Sequence, residues 1–454
     1  MTIDQWIEER KEVLLSELME FLRFPSISAQ KKHWDDLHRT ALWLKDRLER
    51  LGFTTTLLGE PPVVWGHYKG AQETPTVVFY GHYDVQPPDP LSLWESPPFE
   101  PQIRGEAIYA RGAADDKGQV FAHLAVWQYF MESQGRIPLS IHALIEGEEE
   151  TGSKTFSQIL RENEKAWRGD VGIVSDTAFF SKDVPTLTIG LRGLVYTEIR
   201  VCGPARDLHS GGFGGVVANP ALALAHILSA LKGPDERVRI PGFYEKVRPA
   251  SAAERRWNWE LPANEAHYQR LTGAPAIVGE VGFSPLERIG IRPTLDVNGL
   301  WSGYTGEGSK TIIPAEAVAK VSMRLVPHQE PREVWESFRQ YVERIAPSGV
   351  TVSVSLLHEP APPFETPVDS LAYQLAAAAM ERAFGKAPLP LREGGSIPIL
   401  NLLQQATGGI PIVLMGFGLP SDAVHSPNEH FQLNQLWKGI KALAYFYESL
   451  AAKK

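Results

Sequence analysis

The chain has a single cysteine in 454 residues. An intrachain disulfide is therefore excluded, as is any metal centre built on several thiolates. Cys202 ends the strand-like run Glu198-Ile199-Arg200-Val201-Cys202 and is expected to be a buried, inert thiol. No apolar run approaches the roughly 20 residues that span a bilayer. The N-terminus, Met1-Thr2-Ile3-Asp4-Gln5-Trp6, lacks the basic start and apolar block of a signal peptide. A cytoplasmic location is the expectation. Positive charge is also short: 45 Lys and Arg against 54 Asp and Glu leave a net charge of −9. That balance speaks against nucleic acid or an anionic membrane as the main partner. Internal repeats and low-complexity segments are absent.

What is present is a set of four apolar runs that each lead to a metal-type ligand. Thr76-Val77-Val78-Phe79-Tyr80 runs into Gly81-His82-Tyr83-Asp84, and Leu139–Ile145 runs into Glu146-Gly147-Glu148-Glu149-Glu150. Val171–Val174 runs into Ser175-Asp176, and Ile410–Met415 leads through a Gly-rich turn to His425. Short β-branched runs bounded by Gly and polar residues predict buried strands of a mostly parallel sheet. In open α/β sheets, sites form outside the carboxyl ends of the strands. Imidazoles and carboxylates at those ends are ligands of Zn and similar divalent ions.

Helices are expected over about residues 2–23 and 34–52, the second stopping at Gly52. Strands and helices then alternate to residue 190, a βαβ rhythm with a helix over Lys117–Glu132. From residue 191 to 358 strands and helices continue without ligand-ended strands, which reads as an inserted α+β domain. Residues 359–454 resume the α/β pattern. The fold expected is thus an α/β, mostly parallel-sheet catalytic domain in two parts, 1–190 and 359–454, interrupted by the insertion. Residues 240–290 match no motif.

Each candidate residue has a bland reading beside the chemical one. His82 and Asp84 lie two apart and share one side of an extended strand. They are either a ligand with the carboxylate that orients it or a solvated strand end. Asp115 sits in Arg111-Gly112-Ala113-Ala114-Asp115-Asp116-Lys117-Gly118; its carboxylate can bridge two ions or simply cap the helix that follows. Glu148-Glu149-Glu150 packs like charges that repel unless a cation intervenes, or forms a solvated acidic turn. His209, in Leu208-His209-Ser210-Gly211-Gly212, suits a loop that reaches a substrate, or is plain surface.

As an ensemble these residues resemble the co-catalytic di-zinc peptidases and deacylases. His82-Tyr83-Asp84, the Gly112–Gly118 turn, Glu149-Glu150-Thr151-Gly152-Ser153, Asp176 and His425 occur in that family's order. Lys310-Thr311-Ile312-Ile313-Pro314, Met323-Arg324-Leu325-Val326-Pro327, Arg392–Pro398 and His425-Ser426-Pro427-Asn428-Glu429 are similar to its carnosinase and cytosolic non-specific dipeptidase branch. The resemblance implies two divalent ions per chain, Zn first, Mn or Co as alternatives. Asp115 would bridge them, with His82 and Asp176 completing one site and Glu150 and His425 the other. It implies Glu149 as general base, Asp84 as the group orienting His82, and a cis peptide after Asp115. His209, Thr311, Arg324 and Ser396 would bind a small peptide substrate. The insertion would be a lid that dimerises the protein, with His209 acting in the partner subunit's site. The register within the glutamate run rests on Thr151-Gly152-Ser153; Glu148 as base and Glu149 as ligand is the alternative. The rival activities are an N-acyl-amino-acid deacylase or glutamate-carboxypeptidase-like amidohydrolase and, in another class, a di-metal phosphoesterase.

Overall fold

The computed structural model describes residues 1–163 and 166–453. The chain forms two compact units, one of Met1–Ile189, Thr366–Leu391 and Ile399–Lys454, the other of Gly190–Glu365 and Arg392–Pro398. The strand and helix pattern of the sequence places the insertion at 191–358; Gly190, residues 359–365 and Arg392–Pro398 cluster with the second unit as well.

The first unit is built on a mixed sheet with a parallel centre. Seven of the sheet's nine strands are β1 (Thr54–Leu58), β2 (Val63–Tyr68), β3 (Thr76–His82), β4 (Ser140–Glu146), β5 (Val171–Val174), β6 (Thr186–Leu191) and β7 (Ile412–Leu414). Their spatial order is β1-β2-β4-β3-β5-β7-β6. The pairs β3/β4, β3/β5 and β5/β7 are parallel, whereas β1/β2, β2/β4 and β6/β7 are antiparallel. After its first residue β3 is buried throughout, and so is β4. This is the signature of strands covered on both faces, and it explains why their sequences read as continuous apolar runs rather than alternations. The helix Lys117–Gln134 packs against β3 and against the C-terminal helix Leu433–Ala451. Both helices bury most of their residues. Among the described residues no helix is long and apolar enough to cross a membrane.

The strand order places the candidate side chains. β3 and β4 run side by side with His82 opposite Glu146, so the two carboxyl ends open at the same edge, with that of β5 beyond β3. The turn before the helix Lys117–Gln134 reaches that edge too. It needs glycine at position 118, where a Cβ would sit 2.0 Å from the Ala113 carbonyl oxygen. Gly112 supplies a left-handed φ of +83°.

The second unit is a four-stranded antiparallel sheet in the order Thr294–Ser302, Glu316–Leu325, Gly193–Cys202, Thr351–Leu356. Helices Pro220–Leu231 and Pro331–Ile345 supply Leu224, Ile227, Phe338 and Val342 to one core with Val195, Ile199 and Val321 of the sheet. Gly193–Cys202 alternates strictly between its faces up to Val201, which is inward. Cys202 is therefore turned outward and is exposed, contrary to the buried thiol expected from its apolar surroundings in sequence. Residues 240–290 contain three short helices, Ala252–Glu260, Glu265–Thr272 and Pro285–Gly290.

Candidate metal centre

Two donor triads meet at Asp115. Its Oδ1 lies 3.0 Å from His82 Nε2 and its Oδ2 lies 2.9 Å from His425 Nε2. Asp176 Oδ2 is 3.9 Å from His82 Nε2, and Glu150 Oε1 is 3.2 Å from His425 Nε2. Within each triad, His82–Asp115–Asp176 and Asp115–Glu150–His425, the donor atoms all lie within 4.8 Å of one another. That spread is close to what one ion with bonds of about 2.0–2.2 Å can bridge. The five residues come from the ends of β3, β4 and β5, from the Gly112–Gly118 turn and from the loop after β7. The peptide between Asp115 and Asp116 is cis, in agreement with the expectation from the resemblance.

Each donor is held by groups behind it. Asp84 is fully buried. Its Oδ1 lies 3.3 Å from His82 Nδ1, and its backbone oxygen lies 3.1 Å from the same nitrogen. The Asp84 carboxylate also accepts the backbone N–H groups of Glu149 and Glu150, both at 3.1 Å, and the Ser28 hydroxyl at 2.6 Å. One carboxylate thus aims an imidazole on β3 and the glutamate turn after β4 together. Gln86 Nε2 donates to Glu150 Oε2 at 2.8 Å. Glu148 is occupied elsewhere: its Oε2 accepts the Thr155 N–H at 2.7 Å, at the start of the helix Lys154–Glu162.

Glu429 performs the same service for Asp115, a role that sequence spacing did not disclose. Its Oε1 accepts from Ala114 N at 3.0 Å and Asp115 N at 3.1 Å. Its Oε2 accepts from Gly112 N at 2.9 Å and from Arg111 Nη1 at 2.6 Å. Glu429 stands four residues after His425, so the loop that carries one imidazole also holds the turn that carries the shared carboxylate. His425 itself has a φ of +60°, a left-handed conformation that is uncommon for a non-glycine residue and concentrates at functional sites.

The electrostatics test whether a metal suits these residues. Burial pushes Glu149 and Asp176 well above the usual carboxylate range, and neighbouring carboxylates, Glu150 for the first and Asp115 for the second, push the same way. Glu150 is raised by burial and by Asp115. Asp116 rises to about 8, chiefly through burial. Burial would raise Asp115 too, but hydrogen bonds from His425 and His82 outweigh it and hold the carboxyl below its usual range. Burial likewise opposes ionisation of His82, yet Asp115 and Asp84 raise it well above the ordinary imidazole value. Asp115 and Glu150 lift His425 to about 10. Carboxylates so crowded can all ionise together only beside added positive charge. With nitrogen and oxygen donors and no sulfur, the set fits hard or borderline divalent ions.

The remaining candidates lie in the second unit. His209 is exposed and starts a short turn, its Nδ1 accepting from Gly211 N at 2.9 Å. It pairs with Ile312 across a two-residue bridge, beside which Thr311 accepts the Ser210 N–H at 3.1 Å. Arg324 and Ser396, 72 residues apart in the chain, are joined by an Nη1–Oγ hydrogen bond of 2.6 Å. The structure thus gathers His209 with Thr311, and Arg324 with Ser396.

Comparison with known proteins agrees with this geometry. The peptidase family M20/M25/M40 matches residues 78–449. The Cys-Gly metallodipeptidase dug1 of Schizosaccharomyces pombe is 31% identical over 398 residues, covering 86% of this chain and 83% of that protein. The Beta-Ala-His dipeptidase of Homo sapiens is 28% identical over 470 residues, 98% of this chain and 92% of that one. Among solved structures, human carnosine dipeptidase 1 superposes with a TM-score of 0.87 at 27% identity, covering 99% of this chain and 98% of that one. The M20 family metallo-carboxypeptidase Sso-CP2 of Sulfolobus solfataricus also reaches 0.87, at 31% identity, covering 96% of this chain and 99% of that one. The chain is a metallopeptidase that belongs to the peptidase family M20/M25/M40.

Proposed function

We propose that the protein is a dipeptidase that holds two divalent ions per chain, Zn first among Zn, Mn and Co. His82, Asp115 and Asp176 would hold one ion, and Asp115, Glu150 and His425 the other. The observation that carries the reading is Asp115, whose two carboxylate oxygens face two imidazoles from opposite sides at 3.0 and 2.9 Å. Relatives named for Cys-Gly and Beta-Ala-His dipeptides point to the same substrate class.

Bound divalent ions supply Lewis-acid polarisation of a scissile carbonyl and make a water easier to deprotonate. Glu149 is the general base: it takes a proton from the attacking water and returns it to the leaving amine. Asp84 Oδ1 accepts the Glu149 N–H at 3.1 Å, which fixes the turn that carries this base. Asp84 keeps the Glu149–Glu150 turn and the His82 ring in register. Glu148, tied to Thr155 N, is spoken for, which supports Glu149 and Glu150 over the shifted register. In the second unit Arg324, with Ser396 against it, takes the free carboxylate of the substrate through a planar guanidinium. Thr311 and His209 contact the substrate backbone, His209 serving the other protomer of a homodimer and stabilising the oxyanion.

An unblocked dipeptide assayed beside its N-acetylated form tests the reading. Cleavage of the free dipeptide, lost on chelation and regained on adding metal, is expected. Preference for the acetylated form would reassign the protein as a deacylase.

A further inference from the structure

The buried arginines Arg47, Arg111 and Arg292 and the half-buried Arg392 have carboxylate partners. Arg111 meets Glu429 at 2.6 Å, Arg47 meets Glu17 at 2.5 Å, Arg292 meets Glu280 at 2.7 Å, and Arg392 meets Glu254 at 2.8 Å and Glu365 at 2.6 Å. Arg192 and Arg324 are different. Both are half-buried, and among the described residues neither forms an ion pair with a carboxylate. Asp296 acts on both through space only and is itself exposed.

The two guanidinium groups are neighbours. Arg192 Nε donates to the Gly394 carbonyl at 3.0 Å, and its Nη1 donates to Thr294 Oγ1 at 3.3 Å. Thr294 is the direct cross-strand partner of Arg324, so their side chains share a sheet face. Ser396 links the pair again, accepting from Arg324 Nη1 at 2.6 Å and donating to the Arg192 carbonyl at 2.5 Å. Burial and the adjacent Arg324 lower the Arg192 guanidinium to about 10. Each guanidinium has five N–H donors. The bonds above use two on Arg192 and one on Arg324, all to neutral oxygens. Two like charges held together, with most donors unspent and, among the described residues, no carboxylate in an ion pair with either, are the features of an anion site.

We infer that Arg192 is a second carboxylate-binding residue, forming with Arg324 a two-guanidinium cradle for the terminal carboxylate of the substrate. The inference rests on the reading of Arg324 as the carboxylate partner and adds the residue that sets selectivity. An amide carries no charge and brings its own N–H donors, so this cradle rejects it. A single guanidinium leaves that discrimination weaker.

The test compares Ala-Ala with Ala-Ala amide as substrates of the metal-loaded enzyme and its Arg192→Met, Arg192→Lys and Arg324→Met variants. For Arg192→Met the KM for Ala-Ala rises about 10- to 100-fold, the loss of one charge-assisted contact, while kcat is little changed. The preference for acid over amide shrinks by the same factor. Arg192→Lys keeps the charge without the fork and falls between. Loss of kcat on both substrates alike, or an unchanged KM, would show that Arg192 merely braces the Gly394 loop, and would overturn the inference. If Arg324→Met raises KM and Arg192→Met does not, the inference alone fails. If neither does, and the amide is cleaved as fast as the acid, the carboxylate assignment to Arg324 fails with it.

Discussion

Glu429→Gln should be costly although Glu429 belongs to neither donor triad. Its two oxygens accept four N–H groups, from Gly112, Ala114, Asp115 and Arg111, at 2.6–3.1 Å. Glutamine offers one oxygen and an NH2. Whichever way the amide turns, two of the four donors face another donor. Arg111, with 1% of its side chain exposed, also loses its charge partner. Breaking a buried pair on one side typically costs about 3–5 kcal/mol. Burial already raises the Glu429 carboxyl, so the lower end, ~3 kcal/mol, is expected. The turn that loosens carries Asp115, so divalent affinity should fall about 10- to 100-fold, as for other groups that orient ligands. Urea unfolding of the chelated protein reads the first effect, and calorimetric metal titration reads the second. A stability change below ~1 kcal/mol together with unchanged metal affinity would refute the clamp.

Glu149→Gln should keep its metals and lose about 10²- to 10⁴-fold in turnover, whereas Glu150→Gln should lose metal; elemental analysis beside kinetics separates them, and near-normal turnover in Glu149→Gln would remove it as base. Inactive Glu149→Gln and His209→Ala proteins, dissociated and remixed, should regain up to about half activity per mixed dimer, since one site in two is then complete; mixed dimers that stay inactive would remove the role of His209 across the subunits. His123, fully buried between Ser175 Oγ at 2.8 Å and Tyr447 Oη at 2.9 Å, is lowered by burial to about 3. Below its ordinary value of 6.5 only the unfolded chain takes up that proton, so stability falls with pH from 6.5 toward 3 by up to about 1.4 kcal/mol per unit from this residue. Unfolding at pH 7.5, 6 and 5 should show a shallower slope in His123→Gln, and equal slopes would contradict the assignment.

The ligand-bearing strands could be read from sequence because β3, β4 and β5 are short, apolar and punctuated by the polar residues they present. What escaped was support across long separations. Glu429 and Asp115 are 314 residues apart, and nothing in either neighbourhood announces the other. Arg192 reads as part of a Gly-rich junction until Thr294, Gly394 and Ser396 fold around it. Cys202 is exposed despite its apolar neighbours, because an apolar setting in sequence does not say which face of a strand a residue takes. The helices within 240–290 did leave a signal: Ser251 with Glu254, and Ser284 with Glu287, are capping boxes, and their short, polar helices offered little periodicity to find them by.

The central claim is the shared carboxylate. Chelated protein titrated with Zn or Mn, binding heat and dipeptide hydrolysis followed together, tests it most directly. Two equivalents per chain are expected, and an Asp115→Ala protein should bind neither ion tightly, because both triads lose a donor at once. Full activity at one equivalent or none, or an Asp115→Ala protein that still binds two ions tightly, would contradict it.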